Sequence, residues 1–337
     1  MRWAVLMVCA VVCACSSPHA TEPADAPVPS APAMAQPAPA TAVSASAEPA
    51  AQAPRIAARR ALELMYHGEA PSEARACLEK DSIECLLRLR LGEDEAAVKL
   101  AIDLYNETGT VVGMEREHVM DGGWRGHIRL VPYAPVGRER RHLEWLVGAH
   151  RDFKNFFSAL EQRGELKRYR WQPIELRFFQ SVGRTTPSAY AADWGIAYNV
   201  SGSLHKSADA VRETLFHEVF HLNDAEHGDW SRKHLTPIFD SIMQRCGANT
   251  GCLAPFAPGD TMVRGGTFYA FQPGNGVWEY AAELAVRYYQ EHREIVAGRA
   301  LAKRPFKCGP DENARAWRLF VDEFFGGIDA TPSCGQK

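Results

Sequence analysis

Residues 207–221 read Ser207-Ala208-Asp209-Ala210-Val211-Arg212-Glu213-Thr214-Leu215-Phe216-His217-Glu218-Val219-Phe220-His221. Ser207 suits the N-cap of a helix. Leu215, Phe216, Val219, Phe220 and Leu222 make the following residues apolar enough for a core helix. Gly228 is the first residue able to end it cheaply. Within this helix, His217-Glu218-Val219-Phe220-His221 has the pattern HExxH. Residues i and i+4 share a helix face, so both imidazoles can grip one metal ion. Glu218 can then reach a water at that metal as a general base. Average composition yields three such fixed positions by chance in about one chain per hundred of this length, so context has to carry the reading.

Upstream, Trp194-Gly195-Ile196-Ala197-Tyr198-Asn199-Val200 reads as a strand. An exposed edge of that strand would bind an extended peptide through main-chain hydrogen bonds. Downstream, Val277-Trp278-Glu279-Tyr280-Ala281-Ala282-Glu283-Leu284 reads as a second helix. Glu279 and Glu283 share one of its faces, and Ala282 allows close approach to the histidine helix. One carboxylate can complete the metal site while the other orients a liganding histidine. His227 is the alternative third ligand. The run His217-x-x-x-His221-x-x-Asp224-x-x-His227 has metzincin spacing, with Asp224 where that pattern has glycine. Glu279 is preferred, because a helix continuing to Gly228 turns His227 away from the metal. Met262 is weak support for a methionine turn.

HExxH followed by a glutamate on a later helix resembles the gluzincin pattern shared with thermolysin. The run Glu279-Tyr280-Ala281-Ala282-Glu283 is similar to that of the anthrax lethal factor-like peptidases, as is an aspartate at the position of Asp224. The resemblance covers roughly residues 190 to 295 and rests on two short motifs. It implies His217, His221 and Glu279 as ligands of one zinc ion and Glu218 as catalytic base. It also implies Glu283 and Asp224 as supports behind the ligands, and Tyr269 as a stabiliser of the oxyanion.

Met1 to Ala14 has one early positive charge and an apolar stretch too short for a stable membrane anchor. Val12-Cys13-Ala14-Cys15 looks like a bacterial lipobox, which makes Cys15 the expected lipidation site. Ser16 favours outer-membrane delivery in a Gram-negative cell; free secretion after ordinary cleavage is the alternative. Residues 15–53 are Pro/Ala-rich and are expected to form a disordered tether. Two regions follow, a helical and β-hairpin region over 54–165 and a zincin-like catalytic region over 166–337. The net charge of -3 and the lack of a long basic stretch exclude nucleic acid as the expected partner. Six cysteines remain beyond the leader, with Cys77–Cys85, Cys246–Cys252 and Cys308–Cys334 the expected pairs of an exported chain.

Periodicity predicts helices over 55–67, 72–89, 94–106, 138–162, 231–246 and 314–325. Strands are expected over 111–119, 126–131, 173–181 and 194–200, with a turn at Asp121-Gly122-Gly123. This order is that of an α+β fold with a mixed sheet and a C-terminal helical part. Phe153, Phe156 and Phe157 read as core, Tyr198 as an ordinary strand tyrosine, and His205 and His234 as rim histidines. Gly265 to Gly276 reads as a flexible loop over the cleft, with Arg264 a solvated loop residue. The expected function is a zinc-dependent endopeptidase acting on a peptide or protein substrate. The alternative is a non-catalytic envelope lipoprotein with a structural or decayed metal site.

Overall fold

A computed structural model describes residues 54–122, 126–166, 168–263 and 266–335, which belong to one compact unit over 51–337. The expected leader, Cys15 and the tether lie outside the described residues, as do Gly123 and Arg264.

Four helices open the unit: α1 (Ala58–Tyr66), α2 (Ser72–Glu79), α3 (Ile83–Leu91) and α4 (Glu95–Thr108). The single helix expected over 72–89 is two. Asp81 adopts the left-handed conformation at φ 46°, and the Ser82 side chain caps α3 by accepting the Cys85 N–H. The Cys77–Cys85 disulfide spans this break. Cys246–Cys252 and Cys308–Cys334 are also paired, as their spacing suggested.

The expected strand over 111–119 is likewise two, β1 (Val111–Met114) and β2 (His118–Asp121). They join β3 (His127–Pro132), β4 (Glu175–Ser181), β5 (Ala189–Ala192) and β6 (Gly195–Asn199) in one mixed sheet. β4 is its axis. β1 runs parallel to Glu175–Phe178 of β4, and β3 continues antiparallel along the same edge from Phe179 to Ser181. β6 lies parallel on the other edge, and β5 pairs antiparallel with β6. The strand expected to offer a free edge, β6, is therefore interior and buried throughout. The outer position belongs to β5, whose Ala-Tyr-Ala-Ala sequence has little β-propensity of its own. It exists as the partner of β6 across the turn Asp193-Trp194, where both residues have positive φ.

Helices α5 (Arg140–Glu161) and α6 (Ala208–Glu226) form the helical layer with α10 (Val277–Val296). Phe153, Phe156 and Phe157 are buried, as expected. They meet Phe216 of α6 and Tyr289 of α10 at ring separations such as 5.4 Å (Phe153–Phe216) and 4.9 Å (Phe156–Tyr289). Each such aromatic pair contributes about 1 kcal/mol beyond simple burial, which favours one relative placement of the three helices. The helix expected over 231–246 breaks at Leu235 into α7 (Trp230–His234) and α8 (Thr236–Cys246), because Pro237 opens the second segment. α9 (Thr250–Leu253) and α11 (Asp311–Phe325) complete the C-terminal part.

Candidate metal centre

Ser207 caps α6 as predicted, its hydroxyl accepting the Ala210 N–H at 3.2 Å. The helix runs to Glu226 and turns out through His227 and Gly228, whose φ is +70°. Val211, Leu215, Phe216, Val219, Phe220 and Leu222 are buried, which orients the face carrying His217 and His221. α10 packs along α6, with Ala281, Ala282 and Ala285 fully buried; small side chains permit that approach. Glu279 lies in the first turn of α10, where the helix dipole favours a carboxylate.

Three ligand atoms converge there. His217 Nε2 is 3.0 Å from Glu279 Oε2 and 3.1 Å from His221 Nε2, and His221 Nε2 is 3.6 Å from the same oxygen. A tetrahedral zinc with ordinary metal–ligand distances needs neighbouring ligands about 3.3 Å apart, so the triangle has the required size. Two imidazoles and one carboxylate suit zinc and other borderline cations. The second glutamate, Glu283, lies on the other side of the His217 ring. Glu283 Oε1 is 3.4 Å from His217 Nδ1, a placement that favours a proton on Nδ1 and turns Nε2 towards His221 and Glu279.

The electrostatics follow from this crowding. Burial alone would raise the Glu279 pKa, but hydrogen bonds with His217 and His221 outweigh it and hold the carboxylate far below its usual range. Burial alone would lower that of His217; its bonds to Glu279 and Glu283 outweigh it and raise the value. Burial raises the Glu218 carboxyl, opposed by the two histidines. Tyr269 stands edge-on to the His217 ring at 5.9 Å. Burial and then the Glu279 and Glu218 carboxylates raise its pKa, so it stays a protonated donor at neutral pH.

Other residues fall elsewhere. His227 stands apart from this triad: its Nδ1 lies 2.8 Å from Glu323 Oε1 and its Nε2 3.1 Å from the Arg168 carbonyl. Because α6 continues to Glu226, His227 joins Arg168, Tyr169, Arg170 and Glu226 around a separate open cavity of about 530 Å³. The expected support from Asp224 is placed differently. Its oxygens accept from Ser231 N at 2.7 Å and Ser231 Oγ at 2.6 Å, and so fix the start of α7. Met262 is exposed and does not underlie the histidines. The loop after it is partly built: Met262 bridges Phe268, and Ala270 and Phe271 are buried in a short 3-10 turn. His234 is exposed as expected, but His205 is buried. One contributor was missed. A Cβ on Gly259 would collide with Glu283 Oε2, so the carboxylate behind His217 depends on a glycine twenty-four residues away in the chain. Only its Pro258-Gly259-Asp260 setting marks the position in sequence, and that reads as any turn.

No protein-family model, curated protein or solved structure matches this chain.

Proposed function

We propose that the chain is a zinc-dependent peptidase of the zincin type, with zinc held by His217, His221 and Glu279. The convergence of these three ligand atoms, with Glu218 beside them on the same helix, is the observation that carries the reading. A zinc ion there supplies Lewis-acid chemistry, polarising a carbonyl and acidifying water. The protein's own groups do the rest. Glu218 is buried with a raised pKa, which suits a carboxylate that takes a proton from water and returns it to the leaving amine. Tyr269 O–H donates to the oxygen that gains charge. Glu283 holds the His217 ring, and β5 offers its outer edge to an extended peptide backbone.

Export and lipidation at Cys15 belong to the same reading, and three disulfides are compatible with an oxidising compartment. The test is metal content and cleavage of an unfolded protein substrate by wild type, Glu279→Ala and Glu218→Gln. The reading expects one zinc per chain and cleavage in wild type, loss of both in Glu279→Ala, and zinc without cleavage in Glu218→Gln. Zinc without cleavage in wild type would favour a non-catalytic envelope protein.

A further inference from the structure

Tyr269 and Glu279 stand at the two ends of one short stretch of chain. Glu279 belongs to the triad; Tyr269 lies edge-on to His217, and its hydroxyl is within hydrogen-bonding reach of Glu279. Between them, Gln272-Pro273-Gly274-Asn275 has the sequence of a tight reverse turn, with proline second and glycine third. The turn forms. Gly274 has φ +91°, and Asn275 N–H donates to the Gln272 carbonyl at 2.9 Å. The chain is thereby sent back on itself, and the Asn275 side chain meets the Tyr269 backbone. Asn275 Nδ2 donates to the Tyr269 carbonyl at 3.0 Å, beside the Gln272 N–H that reaches the same oxygen at 3.1 Å. α10 opens two residues after Asn275, with Glu279 N–H donating to the Gly276 carbonyl at 3.1 Å. The part of the expected flexible loop that follows Tyr269 is therefore closed on itself.

Burial does not fix Tyr269 equally on both sides. Ala270 and Phe271 are buried just after it. Before it, Tyr269 N–H donates to the Thr261 carbonyl at 2.8 Å, but Thr261 and its neighbour Met262 are exposed. Apolar packing thus anchors the chain beyond Tyr269, while hydrogen bonds set the peptide units on either side of it. Among the described residues, Asn275 is the one whose side chain bonds the Tyr269 backbone. Its amide is carried by a closed turn and leads directly into the helix that bears Glu279. The phenol and the carboxylate are in this way fixed relative to each other.

Resting on the peptidase reading above, we infer that Asn275 is a positioning residue for Tyr269: its amide clasps the Tyr269 carbonyl and holds the phenol beside His217 and Glu279. It acts through Tyr269 and not on the substrate. A displacement of about 1 Å at a reacting group can cost about 10²-fold in rate, so a clasp that matters little to folding matters to turnover.

The test is a double-mutant cycle on the zinc-loaded full chain, with cleavage of an unfolded protein substrate followed by the release of new α-amino groups and zinc content measured for every variant. Tyr269→Phe should lower kcat by about 10²-fold, the usual cost of one lost oxyanion donor. Asn275→Ala should lower kcat by about tenfold, with zinc content unchanged and KM within about twofold. Asn275→Asp keeps the shape but loses the donor, and should lose at least as much as Asn275→Ala. In the Tyr269→Phe background, Asn275→Ala should cost less than about a further twofold, because the group it positions is already gone. An equal loss in both backgrounds overturns the inference, since Asn275 would then act independently of Tyr269. Full activity in Asn275→Asp overturns it as well, because the donor would not be needed. No cleavage by zinc-loaded wild type, or Tyr269→Phe as fast as wild type, would instead mark the failure of the peptidase reading or of the part it gives Tyr269, and remove the inference with it.

Discussion

Two places in this molecule hold the same four residue types, two histidines, a glutamate and a tyrosine, and only in one do the possible ligand atoms converge. In the first, His217, His221 and Glu279 bring their ligand atoms within 4.8 Å of one another beside Tyr269. In the second, His142, His205, Glu139 and Tyr198 meet where the start of α5 faces β6. There the two rings are 6.3 Å apart, and three of their four nitrogens are engaged by separate partners. His142 Nδ1 lies 2.8 Å from Tyr198 Oη and its Nε2 3.1 Å from Glu139 Oε2. His205 Nδ1 donates to the Asn199 carbonyl at 2.8 Å, its ring stacks on Tyr198 at 3.9 Å, and its Nε2 is buried without a partner. The difference is convergence. One helix turn aims two ring nitrogens at a point in the first case; in the second, separate elements supply polar atoms that pair individually and share no common point.

The comparison is broken most severely by exchanging the roles of the two groups. Glu218→Gln should lower peptide cleavage by about 10²- to 10⁴-fold with zinc retained, whereas His142→Gln should leave both zinc content and the catalytic rate within about twofold. Matching losses in the two variants would deny the distinction.

A smaller effect should appear in acid. Burial lowers His205 from 6.5 to about 4 and also lowers His142, which Glu139 partly opposes. The unfolded chain therefore takes up these protons first. The contribution of His205 to stability is complete above pH 6.5 and is lost as pH falls towards 4, by about 3 kcal/mol at the low-pH limit. Arg138 and Arg141 stand beside Glu139, so the acidic group nearest this pair is already neutralised in part. Thermal melts between pH 7.5 and 4.5 should show a steeper decline for wild type than for His205→Gln. Parallel curves would mean that the imidazole remains uncharged or finds a partner on protonation.

Support for the metal ligands ranks next. Glu283→Gln should weaken zinc binding by about 10- to 100-fold, and Gly259→Ala should act in the same direction by pushing the carboxylate from His217 Nδ1. Competition with a chelator of known affinity measures both; an unmoved affinity in Gly259→Ala would show that Glu283 tolerates displacement. The least effect belongs to His227→Ala. It should keep its zinc and lose only about 1 kcal/mol or less of stability, because its hydrogen bond with Glu323 is partly exposed. Loss of zinc in that variant would restore the metzincin alternative.

Legibility in the sequence followed the range of the interactions. The cap at Ser207, the apolar face of α6 and the i, i+4 histidines are local, and each is found where periodicity put it. The break at Asp81-Ser82 was also written locally, as a turn residue followed by a capping residue, but it is short enough to vanish inside a continuous helical pattern. β5 was hidden because its four residues form a strand only against β6. His205 looked like a rim residue because nothing near it in the chain announces that Tyr198 will stack on it.

By itself the sequence determined which helix carries two imidazoles on one face, where that helix starts and stops, and that a pair of glutamates lies on one face of a later helix. Those properties depend on backbone spacing and capping within a few residues. Only the tertiary structure decided that Glu279 rather than His227 joins the histidines, that Glu283 stands behind His217 while Asp224 holds α7, and that β5 rather than β6 is the outer strand at its end of the sheet. Those outcomes depend on how α6 and α10 approach and on which strand the sheet leaves unpaired, and contacts between distant segments have no counterpart in local periodicity.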